Sequence, residues 1–174
     1  MRHRHSILFA LALLAGLLAA PAASAQGRDF LTTLEADRIR DAETSSERIK
    51  LFVGFAADRI RKFQYEQARP NPDRRRDARL KSLLDQYAGC MDDAAELVDL
   101  GLEKSQDVRA GVKELQTKGK EFQEFLEKLL AGPQEVSAYR DNLEDAILST
   151  KDALKVAARA HKEIAPPPVR RKPS

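Results

Sequence analysis

The chain has 174 residues, of which 33% are charged and 6% aromatic, with one Cys, no Trp, eight Gly and eight Pro. One cysteine cannot close an internal disulfide, and so few Gly and Pro do not punctuate an all-β fold, so disulfide-stapled and β-sandwich scaffolds are excluded. The formal charge is +3; this excess is local and forms no broad basic face, which argues against a nucleic-acid partner.

Arg2 and Arg4 precede an apolar, Leu/Ala-rich run over residues 7–20, which Pro21 breaks. Ala23-Ser24-Ala25 then reads as an Ala-x-Ala cleavage site before Gln26. This order predicts a signal peptide over 1–25 that is removed on export, giving a periplasmic or secreted protein. No later apolar run approaches membrane-spanning length, so the mature form is expected to have no transmembrane anchor. The sole cysteine is Cys90, which excludes a lipid anchor on a cysteine at the cleavage site. Cleavage leaves 28 basic and 27 acidic residues, a net charge of +1. Residues 69–81 carry net +4 and residues 162–174 net +3, so the rest of the mature chain is net −6.

The mature chain is patterned for helices over 26–164. Thr32-Thr33-Leu34-Glu35 is a capping box and predicts a short helix over 33–42. A second box, Thr44-Ser45-Ser46-Glu47, opens a helix over 45–68. Its apolar stripe is Ile49, Phe52, Val53, Ala56, Ile60 and Phe63. Pro70 and Pro72 end it, because proline lacks the N–H and restricts the residue before it. Asp73 is the expected N-cap of a helix over 73–102. Further stripes predict helices over 106–130 and 134–162, divided by Gly132-Pro133. Residues 165–174 read as a Pro-rich, basic, disordered tail.

The predicted fold class is all-α: an up-down four-helix bundle of long amphipathic helices with a short leading helix. The alternative is two long hairpins that pair across a homodimer. No repeat of fixed period points to a solenoid.

After cleavage the chain keeps one His, one Met and one Cys. No Cys-x-x-Cys, His-Glu-x-x-His or Glu-x-x-His is present, and a catalytic pair would have to use His161, at the end of the last helix. There an imidazolium complements the helix C-terminus. Alanines stand where Cys-x-x-Cys-His would need cysteines before His161, which excludes covalent haem. A non-covalent haem would have to use Met91 and His161, but Met91 lies mid-stripe, where methionine fills core gaps. Cys90 beside it is expected buried, the alternative being an intermolecular disulfide. The carboxylates Asp92, Asp93, Glu96, Glu121, Glu124, Glu127, Asp141, Glu144 and Asp145 fall on polar faces, in no Ca²⁺-loop pattern. The sequence thus predicts no catalytic, cofactor or metal site.

The basic cluster Arg69, Arg74, Arg75, Arg76, Arg79 and Lys81 lies at a loop and a helix start. That is the unfavourable helix end for cations. With Arg170, Arg171 and Lys172 of the tail, it is the candidate contact for an anionic envelope polymer or an acidic protein.

The stretch Phe30-Leu31-Thr32-Thr33-Leu34-Glu35-Ala36-Asp37-Arg38-Ile39-Arg40-Asp41-Ala42, followed by Glu47-Arg48-Ile49-Lys50-Leu51, resembles a family of uncharacterised exported bacterial helical proteins. That resemblance implies an exported helical protein and no particular activity. Leu31-Thr32-Thr33-Leu34-Glu35 is also similar to the Leu-Thr-x-x-Gln motif of periplasmic proteins of the Spy/CpxP type. This likeness implies a chaperone or stress-adaptor dimer of curved hairpins. Glu35 replaces the glutamine, and no second copy of the motif follows. The expected role is therefore an exported, non-enzymatic helical binding or scaffold protein of the bacterial envelope. A Spy/CpxP-type chaperone dimer is the alternative.

Overall fold

The computed structural model describes residues 30–164. The expected signal peptide and the tail, with Arg170, Arg171 and Lys172, lie outside the described residues. Among the described residues the fold is all-α, with five helices packed against one another and no strand. They are α1 (Thr33–Asp41), α2 (Ser45–Ala68), α3 (Arg76–Glu103), α4 (Arg109–Ala131) and α5 (Arg140–Glu163), with a 3₁₀ turn at Ser137–Tyr139 before α5.

Both capping boxes form. Thr32 and Thr44 accept from the backbone N–H of Glu35 and Glu47, whose carboxylates accept the N–H of the capping threonines in return. Each box satisfies donors that a helix start leaves unpaired. Asp73 does not cap α3. Its Oδ1 accepts the N–H of Arg75 (2.8 Å) and its carbonyl accepts that of Arg76 (3.1 Å), so it closes a turn and the helix starts at Arg76. Asp107 likewise accepts the N–H of Arg109 (3.1 Å) and delays α4. The 3₁₀ turn, preceded by Glu135 accepting the N–H of Ser137 (2.9 Å), holds α5 back to Arg140.

Side-chain pairs fix how the long helices run. Glu66 meets Arg79 and Arg59 meets Gln86, so α2 and α3 are antiparallel. Glu127 meets Lys151 and Gln116 reaches the carbonyl of Ala157, so α4 and α5 are antiparallel too. Asp85 meets Asn142 and Asp99 meets Arg159, making α3 and α5 parallel neighbours. Ser46 meets Gly111 and Phe63 meets Phe125, making α2 and α4 parallel neighbours. Among the described residues the backbones of α3 and α4, though consecutive, approach only sparsely, and those of α2 and α5 do not come close. The short α3–α4 link therefore crosses the diagonal between two antiparallel hairpins.

The core draws on all four long helices: Ile49, Phe52 and Phe63; Leu84, Tyr87 and Met91; Leu115 and Leu126; Leu143 and Ala157 are all fully buried. At its centre Tyr87 and Thr150 share a hydrogen bond (2.7 Å), while Thr150 Oγ1 also lies 2.6 Å from the carbonyl of Ala146. A threonine hydroxyl has one proton and that carbonyl only accepts, so Tyr87 is the donor to Thr150. α1 runs back along α2 with the guanidinium of Arg38 over the Phe55 ring (5.7 Å) and Glu35 on Arg59. Among the described residues no helix is long and apolar enough to cross a membrane.

Candidate binding surface

The six basic residues of the α2–α3 loop and the start of α3 divide into two groups. Arg69, Arg76 and Arg79 are spent inside the molecule. Arg79 binds Glu66 (2.5 Å) and Asp73 (3.0 Å), and Arg69 binds Glu66 (3.3 Å). Arg76 donates to the backbone carbonyls of Glu66 (3.3 Å) and Gln67, in the last turn of α2. In sequence Arg76 stands at the unfavourable start of α3. In space it serves the end of α2, whose carbonyls have no partner within the helix and carry the negative end of its dipole. Hydrogen bonds from Arg79 hold the carboxyls of Glu66 and Asp73 below the usual carboxylate range.

Arg74, Arg75 and Lys81 are exposed and make no ion pair among the described residues. The internal bonds of the other three arginines hold the turn that presents them. Beside them a groove of about 480 Å³ runs between α2 and α3, lined by Lys62, Tyr65, Arg75, Arg79, Leu83 and Gln86 among others. Tyr65 is 73% exposed along it. The surface therefore combines free cations with one aromatic face.

Sequence reasoning missed a second polar centre, beyond this groove and joined to it through Gln86. Arg59 is only 2% exposed. Its guanidinium donates from Nη1 to Glu35 Oε1 (2.5 Å) and Asp58 Oδ2 (3.3 Å), from Nη2 to Glu35 Oε2 (2.7 Å) and the Phe30 carbonyl (3.0 Å), and from Nε to Gln86 Oε1 (3.0 Å). All five N–H donors of an arginine are thereby used. The hydrogen bonds from Arg59 hold the Glu35 carboxyl down at about 2. A signal was present: Arg59 follows Ala56 by three and precedes Phe63 by four, which puts it on the buried stripe of α2.

The remaining candidates lie apart. Cys90 is fully buried, and desolvation pushes its thiol up to about 12, far from a reactive thiolate. Met91 is buried mid-helix, whereas His161 is exposed in the last turn of α5. With Asp99 level with Arg159, Met91 and His161 stand roughly 15 Å apart along the axes of α3 and α5. Among the described residues no group of three or more His, Cys, Asp or Glu is placed to hold a metal ion. No family model matches the chain, and neither a curated protein nor a solved structure matches it.

Proposed function

We propose that this chain is an exported, non-enzymatic helical binding or scaffold protein of the bacterial envelope, which meets an anionic envelope polymer or an acidic protein through its α2–α3 end. We read its body as an up-down four-helix bundle with α1 as a short leading helix. The alternation of direction along α2, α3, α4 and α5 supports that architecture.

The observation that carries the binding role is the division of labour in the basic loop. Three arginines tie the turn down, and Arg74, Arg75 and Lys81 are held out unpaired among the described residues. Unpaired cations on a fixed turn repel one another at some cost to the fold, and an anionic partner relieves that repulsion. Inorganic polyphosphate is a suitable probe. The mature protein should bind it with an affinity that falls at least tenfold between 50 and 300 mM salt, because the Debye length shrinks from about 14 Å to about 6 Å over that range and screens exposed charges. Reversal of charge in R74E/R75E/K81E should abolish binding while circular dichroism stays unchanged and the melting temperature does not fall, since the reversal also relieves cation repulsion at the start of α3. Salt-insensitive binding, or binding that survives the triple reversal, overturns the reading. Export is checked separately: intact-mass analysis of protein from the envelope fraction should find Gln26 as the first residue.

A further inference from the structure

α1 buries none of its nine residues fully, yet it completes the most deeply placed cation among the described residues. Of the five hydrogen bonds made by Arg59, three come from this one segment: two to the Glu35 carboxylate and one to the Phe30 carbonyl. The Phe30 ring rests on Gly89 of α3, where a Cβ would stand 2.8 Å from it. The floor of the α2/α3 groove is thus a receptor of defined chemistry. It needs a carboxylate for Arg59 and an aromatic ring for the space at Gly89, five residues apart on the incoming segment. An apolar helix would leave the buried guanidinium without its bidentate carboxylate, with only Asp58 (3.3 Å) and Gln86 (3.0 Å) to answer it, which is costly. A polyanion brings no ring.

The link from α1 to α2 is three residues long, and both Ala42 and Thr44 already have extended backbone. Thr44 and Glu43 are anchored to α2 through the Glu47 carboxylate, and Arg48 donates to the Ala42 carbonyl (3.2 and 2.9 Å), so α1 turns back at the Cα of Ala42. Opening this one turn carries α1 away as a unit, and a second copy offers it an identical groove. Exchange of an identical element through a short hinge is domain swapping. We infer that α1 is an exchangeable plug, and that the groove floored by Arg59 and Gly89 also takes α1 of a second copy of this chain. In the closed monomer the resident α1 competes at an effective concentration on the order of millimolar. The wild type is therefore monomeric at micromolar concentration, and the groove becomes available when the resident α1 is disabled.

The test uses a fluorescent synthetic peptide of residues 30–43 as probe and the full mature chain as receptor. F30A/E35A removes both anchors of the resident helix without touching the groove. The peptide should bind this variant at least tenfold more tightly than it binds the wild type. A peptide carrying Glu35→Gln should bind at least tenfold more weakly, and adding Arg59→Met to the receptor should remove binding. Equal binding to wild type and variant, no binding to either, or equal binding of a scrambled peptide of the same composition overturns the proposal. Hydrogen exchange on the wild type tests the plug independently should the variant fail to fold. Amides of α1 should exchange at least tenfold faster than core amides of α2–α5. Protection of α1 equal to that of the core also overturns it.

Discussion

A guanidinium taken out of water costs several kcal/mol unless its charge and every N–H are answered. Arg59 is answered five times, with Glu35 supplying both ends of a bidentate pair. Glu35→Ala should therefore cost about 2–4 kcal/mol in urea unfolding. The ceiling is set by the undocking of α1, after which Arg59 meets water. Tyr87 and Thr150 obey the same rule on a smaller scale. Thr150→Val should cost about 1–3 kcal/mol, because it leaves a buried phenol proton without its acceptor. Tyr87→Phe should cost about 1 kcal/mol. A double-mutant cycle by chemical denaturation checks the pair: Y87F/T150V should be less unstable than the sum of the single variants. The residue scale was half legible in the sequence. Glu35 reads correctly as the third residue of a capping box, because that bond spans three residues. Its bond to Arg59 spans 24 and depends on how α1 folds back over α2, which no local spacing encodes. The basic loop shows the same limit: counting charges found its residues, but only the fold separates Arg76, which caps α2, from the exposed Arg74 and Arg75.

Helix interiors and helix ends were legible to different degrees. The second helix starts and stops on local chemistry, with a capping box at one end and Pro70 and Pro72 beyond the other. The starts of α3, α4 and α5 were not legible, since Asp73, Asp107 and Glu135 close turns in positions that also suit helix caps. Glycine in a helix has two opposite meanings, and the neighbours decide which applies. Around Gly54 a Cβ would meet nothing within 4 Å, so Gly54→Ala should stabilise by about 1 kcal/mol through helix propensity alone. At Gly111 a Cβ would stand 2.9 Å from the Cβ of Ile49. A Cβ is fixed to its backbone and cannot swing aside, so α2 and α4 would have to part, and Gly111→Ala should destabilise by about 1–3 kcal/mol. Melting temperatures of the two variants should move in opposite directions. The end of α3 holds one strained residue: Ser105 has φ 54, and the N–H groups of Ser105 and Gln106 return to the carbonyls of Leu102 and Gly101. That left-handed position suits glycine, so Ser105→Gly should raise stability by about 1 kcal/mol in the same measurement.

Across the whole molecule, the all-α class was legible because each long helix carries one apolar stripe that must find cover. The neighbour order was not, because stripes say which face is buried and not which helix buries it. The diagonal α3–α4 link follows from pairs such as Asp99–Arg159 and Ser46–Gly111, which lie about 60 residues apart. The same assembly sets how stability depends on pH. Hydrogen bonds to Arg59 hold the Glu35 carboxyl at about 2 against an ordinary 4.5. A depressed carboxyl stabilises the fold above its unfolded value and loses that contribution as pH falls from about 4.5 toward 2, up to about 3 kcal/mol in all. Burial pushes the Cys90 thiol from 9.0 to about 12, and burial raises the Tyr87 phenol as well. A raised acid works the other way: the unfolded chain ionises first, so stability is lost as pH rises above about 9. That limb falls by at most about 1.4 kcal/mol per pH unit for each group. Urea unfolding at intervals from about pH 3 to pH 11 should therefore give a plateau between about pH 5 and 9 with a decline on each side. Glu35→Gln should lower the plateau and make the acid limb shallower, because one strongly depressed carboxyl is gone while Glu66 and Asp73 keep part of it. Cys90→Ala should leave the acid limb unchanged and make the alkaline limb shallower, with Tyr87 and Tyr139, whose phenols burial also raises, carrying part of what remains. An alkaline decline of equal steepness in Cys90→Ala and wild type would mean that the thiol is not shielded from water in the core of the molecule in solution.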